Sequence, residues 1–353
     1  MIRKCTYTPL YYLLVLLFTL QACSKKVIKE PQPPIVIQPP AAIGFAVVCY
    51  FPYYRTVADI PDQHFRMYNV VNYAFFSVTA TGGLQERNSS VFTALYAKAK
   101  GQGAKVFIAI DDASGDGSTN FKAMAATTVG RNSFIKEVMT KVRNYKLDGV
   151  DIDWEFPRTS DGSDLTFTAL MKELSDSLHH DAKYYLTAAI TPGKYAGAVR
   201  DAIRNELFSY VDWFNVMIYD DFSTTVPYKQ HSDLNLVQTS INYWISTRGM
   251  PASKFVLGMP AYGRPSGITQ TNTVLTYKAI LAQGADPLSD SATVTAGGFT
   301  NYTIYYNGQQ TIKRKAFLAK QATGGIMFWE QGQDATDDRS LIKAACDTIG
   351  RVY

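Results

Sequence analysis

Residues 148–157 read Asp-Gly-Val-Asp-Ile-Asp-Trp-Glu-Phe-Pro, which sets four carboxylates in a stretch whose other members suit a buried strand. In an extended backbone alternate side chains share a face at a pitch of roughly 6.6 Å. Asp151, Asp153 and Glu155 therefore form one acidic row, with Val150, Ile152 and Trp154 on the opposite face. Asp148 falls out of phase and reads as a brace at the start of the strand. Like charges in a row repel and Asp is disfavoured in strands, so stability alone would not select this pattern. Chemistry would, because repulsion among partly desolvated acids keeps a proton in the group at neutral pH, as a general acid requires. Glu155, the outermost member, is the natural proton donor. An ordinary edge strand with a solvated polar face fits less well, since the other face is apolar and amphipathic helical patterns flank the stretch at Asn132 to Tyr145 and Asp164 to His180.

Such a row needs a scaffold to aim it. Eight apolar strand-like runs are predicted, at Gly44–Tyr50, Tyr68–Phe76, Ala104–Ile110, Leu147–Asp153, Tyr184–Ile190, Val211–Tyr219, Phe255–Ala261 and Gly324–Trp329. Helical patterns fall between them at Val91–Lys100, Asn132–Tyr145, Asp164–His180, Gly197–Phe208, Asn235–Thr247 and Thr311–Ala322, with a last one at Asp337–Ile349. Only the first crossover, around Asp59 to Phe65, is poorly marked. Strands alternating with helices imply a parallel sheet, and 353 residues accommodate one α/β barrel of ~250 residues with insertions. In such barrels chemistry gathers where strands end, so Tyr50, Met217, Tyr219, Asp220, Tyr262, Arg264 and Trp329 should converge on Glu155. Tyr50, Tyr262 and Met217 also suit plain core packing, whereas a Tyr-Asp pair and a Trp at a barrel mouth suit sugar binding better.

The acidic stretch matches DxxDxDxE and resembles the signature of glycoside hydrolase family 18, the chitinases and endo-β-N-acetylglucosaminidases. Met217-Ile218-Tyr219-Asp220, Pro260-Ala261-Tyr262-Gly263-Arg264 and Gly324-Gly325-Ile326-Met327-Phe328-Trp329 resemble that family's MxYD, PxYGR and GGxMxW segments. The resemblance implies a TIM (β/α)8 barrel with the acidic row on its fourth strand. It also implies hydrolysis of β-1,4-linked N-acetylglucosamine polymers by a retaining, substrate-assisted route without a cofactor. The implied catalytic residues are Glu155 as acid and base, Asp153 to orient the acetamide, Asp151 to tune Asp153, and Tyr219 on the acetamide oxygen. The implied substrate-binding residues are Tyr50, Trp154, Met217, Asp220, Tyr262, Arg264 and Trp329. Trp154 and the Tyr-Gly-Arg segment look more like chitinases than like enzymes that cut the chitobiose core of N-glycans. A surface sugar-binding protein on an inactive barrel is the remaining alternative, and such proteins usually lose the acid. One segment departs from the family. Where SxGG is usual, the chain has Ala109-Ile110-Asp111-Asp112, so two acids replace two glycines near the site. The segment at about 265–310 reads as a short insertion after strand seven, with a helix at Tyr277–Leu281 and a hairpin around Asn307-Gly308. That implies a shallow, open cleft.

Arg3 and Lys4, the apolar run Leu10 to Leu20 and then Leu20-Gln21-Ala22-Cys23 read as an export signal over 1–22. The last four residues resemble a bacterial lipobox, which implies a lipid on Cys23 and membrane anchoring on an outer membrane, periplasmic face or cell surface. Residues 23–42 are proline-rich and read as a tether, leaving 43–353 as the catalytic barrel. Cys49 and Cys346 fall on the predicted first strand and last helix, where two buried free thiols are preferred to a disulfide. His64, His179, His180 and His231 have no HExxH-like spacing, so no metal site is expected. A net charge of +5 with interspersed signs argues against a nucleic-acid partner, and a monomer is expected.

Overall fold

The computed structural model describes residues 37–353. The export signal, Cys23 and the tether up to residue 36 lie outside the described residues. Eight parallel strands close on themselves: β1 (Ala46–Pro52), β2 (Val70–Val78), β3 (Lys105–Asp112), β4 (Gly149–Ile152), β5 (Tyr185–Ile190), β6 (Trp213–Val216), β7 (Phe255–Pro260) and β8 (Gly325–Trp329). β8 pairs with β7 on one side and with β1 on the other, which seals the barrel, and the topology is the (β/α)8 barrel expected.

Both faces of this sheet are buried, and each strand alternates between two apolar layers. In β1, Ala46, Val48 and Tyr50 point into the barrel, while Val47, Cys49 and Phe51 meet the surrounding helices. The helices answer with period-3.6 stripes. Helix Ser163–Leu178 buries Phe167, Leu170, Met171, Leu174 and Leu178, and helix Thr128–Asn144 buries Phe134, Ile135, Val138, Met139 and Val142. Each such side chain contributes roughly 1.5–3 kcal/mol relative to exposure. This double layer sets the position of every strand end. Cys49 and Cys346 are buried free thiols.

The lower end of the barrel is plugged by Phe107, Tyr185 and Trp213, whose ring centroids lie 5.6–5.8 Å apart. The incoming chain crosses this end. The Gln38 amide donates to the His179 carbonyl at 3.0 Å, the Tyr185 hydroxyl donates to the Ala41 carbonyl at 2.6 Å, and Ile43 packs on the interior cluster.

Three expected elements differ. The helix expected over Gly197–Phe208 is two short pieces, Ala198–Asp201 and Leu207–Tyr210. Arg248 takes the Ile203 carbonyl at 2.6 Å, an acceptor that a continuous helix would need for itself. The helix Leu234–Ile241 ends in a π turn, Asn242–Thr247. This turn buries Trp244 so that its indole N–H donates to the Thr191 carbonyl at 3.0 Å, beside the barrel mouth.

The segment between β7 and β8 carries a four-stranded antiparallel sheet and the helix Tyr277–Ala282. Its hairpin joins Ser291–Ala296 to Phe299–Tyr305 through Gly297-Gly298, not through Asn307-Gly308. Both turn glycines have positive φ, 61° and 84°, as a two-residue hairpin connection demands. Asn307 is buried instead. It donates to the Ser232 carbonyl at 2.9 Å and accepts from Lys315 Nζ at 2.6 Å, while Gly308 caps the helix Gln309–Ala322.

Candidate active site

β4 is held from its lower end upward. Asp148 accepts from the Val106 amide at 2.7 Å and from Lys100 Nζ at 2.5 Å, so it braces the strand as its phase suggested. Gly149 has no room for a side chain, since a Cβ there would lie 2.6 Å from the Tyr185 carbonyl oxygen and 2.9 Å from the Phe107 ring. The small residue lets β4 pass between its neighbours.

Asp151, the lowest acid, is fully buried inside the barrel. Its Oδ2 accepts from the Tyr50 hydroxyl at 2.6 Å, and its Oδ1 accepts from Thr187 Oγ1 at 2.5 Å and Asn215 Nδ2 at 3.0 Å. Burial pushes its carboxyl up, and these three donors pull it part of the way back. Asp153 stands one step higher and is 6% exposed. Its Oδ1 has no hydrogen-bond partner, an uncommon state for a buried carboxylate oxygen. Burial, and after it the charges of Glu155, Asp151 and Asp111, hold Asp153 well above the usual carboxylate range.

Glu155 is the exposed member of the row. Its carboxyl reaches solvent through the pocket mouth, yet protein encloses it on the remaining sides. That enclosure, followed by the charges of Asp220 and Asp111, pushes it up to about 7. Close like charges do not ionise together cheaply, so Asp153 and Glu155 retain a proton between them at neutral pH.

A pocket of about 310 Å³ opens above this pair. Tyr50, Asp153, Glu155, Met217, Tyr219, Asp220, Tyr262 and Trp329 line it, so eight of the eleven side chains expected at the site share one cavity. Trp329 lies against Phe75 at 5.8 Å and 24°, and against Tyr50 at 5.5 Å, which fixes its indole at the mouth. Asp220 sits in the left-handed region at φ 63°. It accepts from the Tyr262 hydroxyl at 2.6 Å, and its backbone N–H donates to His231 Nδ1 at 3.3 Å. Burial pushes Asp220 up, but His231, Arg264 and Tyr262 outweigh it and leave the carboxyl below its ordinary value. Asp151 lies beneath the pocket. Arg264 stands behind it, 3.5 Å from Asp220 Oδ1 and 4.2 Å over the Phe222 ring.

Trp154, expected to touch substrate, faces the helices instead. It is 2% exposed, stacks on Phe121 at 4.9 Å and 9°, meets Phe167 edge-on, and donates to Ser118 Oγ at 2.7 Å. Strand alternation dictates this, because its neighbours Asp153 and Glu155 take the inward face. The two departing acids also part company. Asp112 is buried and accepts from the amides of Ser114 and Phe121 and from Asn120 Nδ2, which ties down the loop that follows β3. Asp111 points inward beside the acidic row.

Thr187 and Asn215 were not anticipated. The available signal is an inward polar residue in an apolar strand, as in Tyr-Leu-Thr-Ala-Ala-Ile and Trp-Phe-Asn-Val. Phe156, Thr191 and Pro192 also line the pocket from loops that no periodic pattern marks. Among the described residues no group of three His, Cys, Asp or Glu side chains is placed to hold a metal ion.

Residues 46–334 match the family model for the glycosyl hydrolases family 18. Endochitinase 1 of Metarhizium robertsii is 28% identical over 269 residues, which are 66% of this chain and 63% of that relative. The alignment thus spans less than two thirds of the relative's own length. A crystal structure of a chitinase from Bacteroides thetaiotaomicron superposes with a TM-score of 0.74 at 22% identity, over 88% of this chain and 98% of that one. The family 18 chitinase ChiB from the chitin utilization locus of Flavobacterium johnsoniae superposes with a TM-score of 0.68 at 26% identity, over 87% of this chain and 94% of that one.

Proposed function

The chain belongs to glycoside hydrolase family 18, and from that premise we propose that it hydrolyses β-1,4 bonds in polymers and oligomers of N-acetylglucosamine with retention of configuration. The observation that carries this reading is the Asp153–Glu155 pair. One buried carboxylate oxygen lacks a partner, and an acid that titrates near 7 stands beside it at the pocket mouth. A two-carboxylate glycosidase would use its second acid as nucleophile or base, whereas this family is substrate-assisted. Asp153, deeper in the pocket than Glu155, suits a supporting role. Its Oδ1 accepts the acetamide N–H of the sugar and turns the acetamide carbonyl oxygen toward C1.

Glu155 then gives its proton to the glycosidic oxygen as the C1–O bond breaks. The acetamide oxygen bonds to C1 and forms an oxazolinium ion, whose positive charge Asp153 stabilises at close range. Asp151, held by Tyr50, Thr187 and Asn215, keeps Asp153 in place from below. Tyr219 hydrogen-bonds the acetamide oxygen, and Trp329 supplies the flat surface under the ring. Glu155, now ionised, takes a proton from water, which opens the oxazolinium from the face the leaving group left.

The test is time-resolved NMR on chitin oligomers, beside cellulose oligomers and a high-mannose glycoprotein. The β anomer of the acetylated product should appear first, and cellulose oligomers should stay intact. An early α-anomer burst or brisk cleavage of cellulose oligomers overturns the mechanism, and preferential cleavage of the glycoprotein moves the substrate to N-glycans. The small sheet after β7 supports internal cutting, for which solution viscosity should fall faster than reducing ends appear. Leu20-Gln21-Ala22-Cys23 supports a mature protein that begins at a lipidated Cys23 and is held on a membrane. Cys23→Ala should release it or block its processing, and wild-type protein that is soluble and free of acyl groups overturns this part.

A further inference from the structure

One acid at the mouth has no task in the proposed reaction. In the ladder between β3 and β4, Ala109 pairs with Asp151 and Ile110 with Ile152, and the Asp153 amide donates to the Ile110 carbonyl at 2.9 Å. Carried one residue past the last paired rung, this register would put Asp111 beside Asp153, at roughly the 4.8 Å spacing of neighbouring strands. Phe107 and Ala109, four and two residues earlier, belong to the barrel interior, so Asp111 shares their inward direction. Like charges side by side destabilise a sheet, and this barrel nevertheless places a further carboxylate close enough for Asp153 and Glu155 to feel its charge.

The partners of Asp111 leave much of its charge uncompensated. Ser77, across the ladder on β2, donates to Oδ1 at 2.5 Å and favours the ionised form without neutralising it. Arg87 approaches from the loop after residues 84–86, but its Nη2 lies 3.4 Å from both carboxylate oxygens, and its guanidinium also lies 5.0 Å from the Tyr53 ring centre. An ion pair this long, with both side chains partly exposed, screens the charge only in part. Burial raises the proton affinity of Asp111 itself, and Ser77 and Arg87 oppose that effect.

We propose that Asp111 is a positioning residue for the catalytic proton: its negative charge keeps that proton on Glu155 in alkaline conditions where Glu155 would otherwise release it, and Arg87 limits the effect. Other charged groups also face the site. Asp153 stands just past the end of β4, two residues before Glu155, and Asp220 stands four residues past β6 with Tyr262, Arg264 and His231 around it. Asp111 has a basic partner, Arg87, that is no part of the pocket wall. Both Asp153 and Glu155 feel its charge. The inference rests on the reading of Glu155 as proton donor.

The experiment measures kcat/KM on a chitin oligomer against pH for the wild type, Asp111→Asn and Arg87→Gln, with Glu155→Gln as control. The alkaline limb should move to lower pH in Asp111→Asn, by on the order of half to one unit for a removed charge at this range. In Arg87→Gln it should move the other way. A merely structural role would lower the rate at every pH and leave the limb in place. Unmoved limbs, or limbs that move together in one direction, overturn the proposal. Should Asp111→Asn fail to fold, the direction of the Arg87→Gln limb decides alone. A Glu155→Gln variant that still turns over removes the underlying reading, whereas an inactive one with both other limbs unmoved removes only the role of Asp111.

Discussion

Replacing Glu155 by Gln keeps the side chain's size and removes the proton it can give, so it isolates the acid from the pocket. With the carboxyl near 7, half of the enzyme carries the proton at pH 7, about nine tenths at pH 6 and about one tenth at pH 8. Wild-type turnover should therefore be nearly flat below 7 on this limb and fall about tenfold per unit well above it. Glu155→Gln should lose the 10²–10⁴-fold typical of a general acid, with more at stake because a sugar alkoxide leaves poorly. Binding should persist. Trp329 is fixed by Phe75 and Tyr50, and Asp220 by Tyr262 and His231, and none of these contacts involves Glu155. Initial rates on chitotetraose from pH 5 to 9, with calorimetric titration of the variant by the same oligomer, give both quantities. A variant that retains more than a tenth of wild-type turnover, or whose residual rate still falls through the same alkaline limb, would mean that another group donates the proton.

Asp153→Asn should cut kcat about 10²–10³-fold with little change in KM, because it removes charge that matters mainly once the oxazolinium forms. The same change should raise the melting temperature by a few degrees, more at pH 8 than at pH 5. The sign follows from a folded carboxyl held above its unfolded value, whose stabilisation is present at low pH and lost as pH rises through the folded value. Trp154→Phe and Trp329→Ala should separate core from subsite. The first should lower stability with KM unchanged, the second should raise KM at least several-fold with stability nearly intact, and the reverse pattern would show that Trp154 reaches the substrate. Lys315 is wholly buried among Ser232 and Asn307, and burial pushes it down to about 7 against the pull of Asp290 and Asp233. A depressed lysine lends stability that is full above about 10.4 and lost as pH falls through the folded value, so urea stability should decline from pH 9.5 to 6 and Lys315→Met should flatten that slope.

Most of the architecture is legible because a barrel strand buried on both faces is written as an unbroken apolar run. All eight expected runs overlap the observed strands. Helix interiors are legible for the same kind of reason, but their breaks are not. The Ile203 carbonyl is claimed by Arg248, 45 residues away in sequence, and no local pattern records that. Within the site, the acids declared themselves because a row of carboxylates is costly unless something uses it. Thr187 and Asn215 stayed hidden because an inward hydroxyl or amide in a strand looks like an ordinary polar interruption until Asp151 is seen beside it. Trp154 teaches a different lesson. Its parity already put it on the face opposite the acids, and only the likeness to chitinases suggested that it meets the sugar. The hairpin was misplaced because Asn-Gly and Gly-Gly are both good turn pairs, and pairing with the preceding strand, not the pair itself, decides between them.

The docking of Gln38 and Ala41 beneath the barrel has a mechanical consequence. The polypeptide joins the body at one pole and the catalytic mouth opens at the other. Residues 38–41 are held by the seam of His179 and Tyr185, so parting them from the barrel breaks contacts remote from the strand ends that carry the acids. A polymer lying across the mouth would therefore share no residue with that seam.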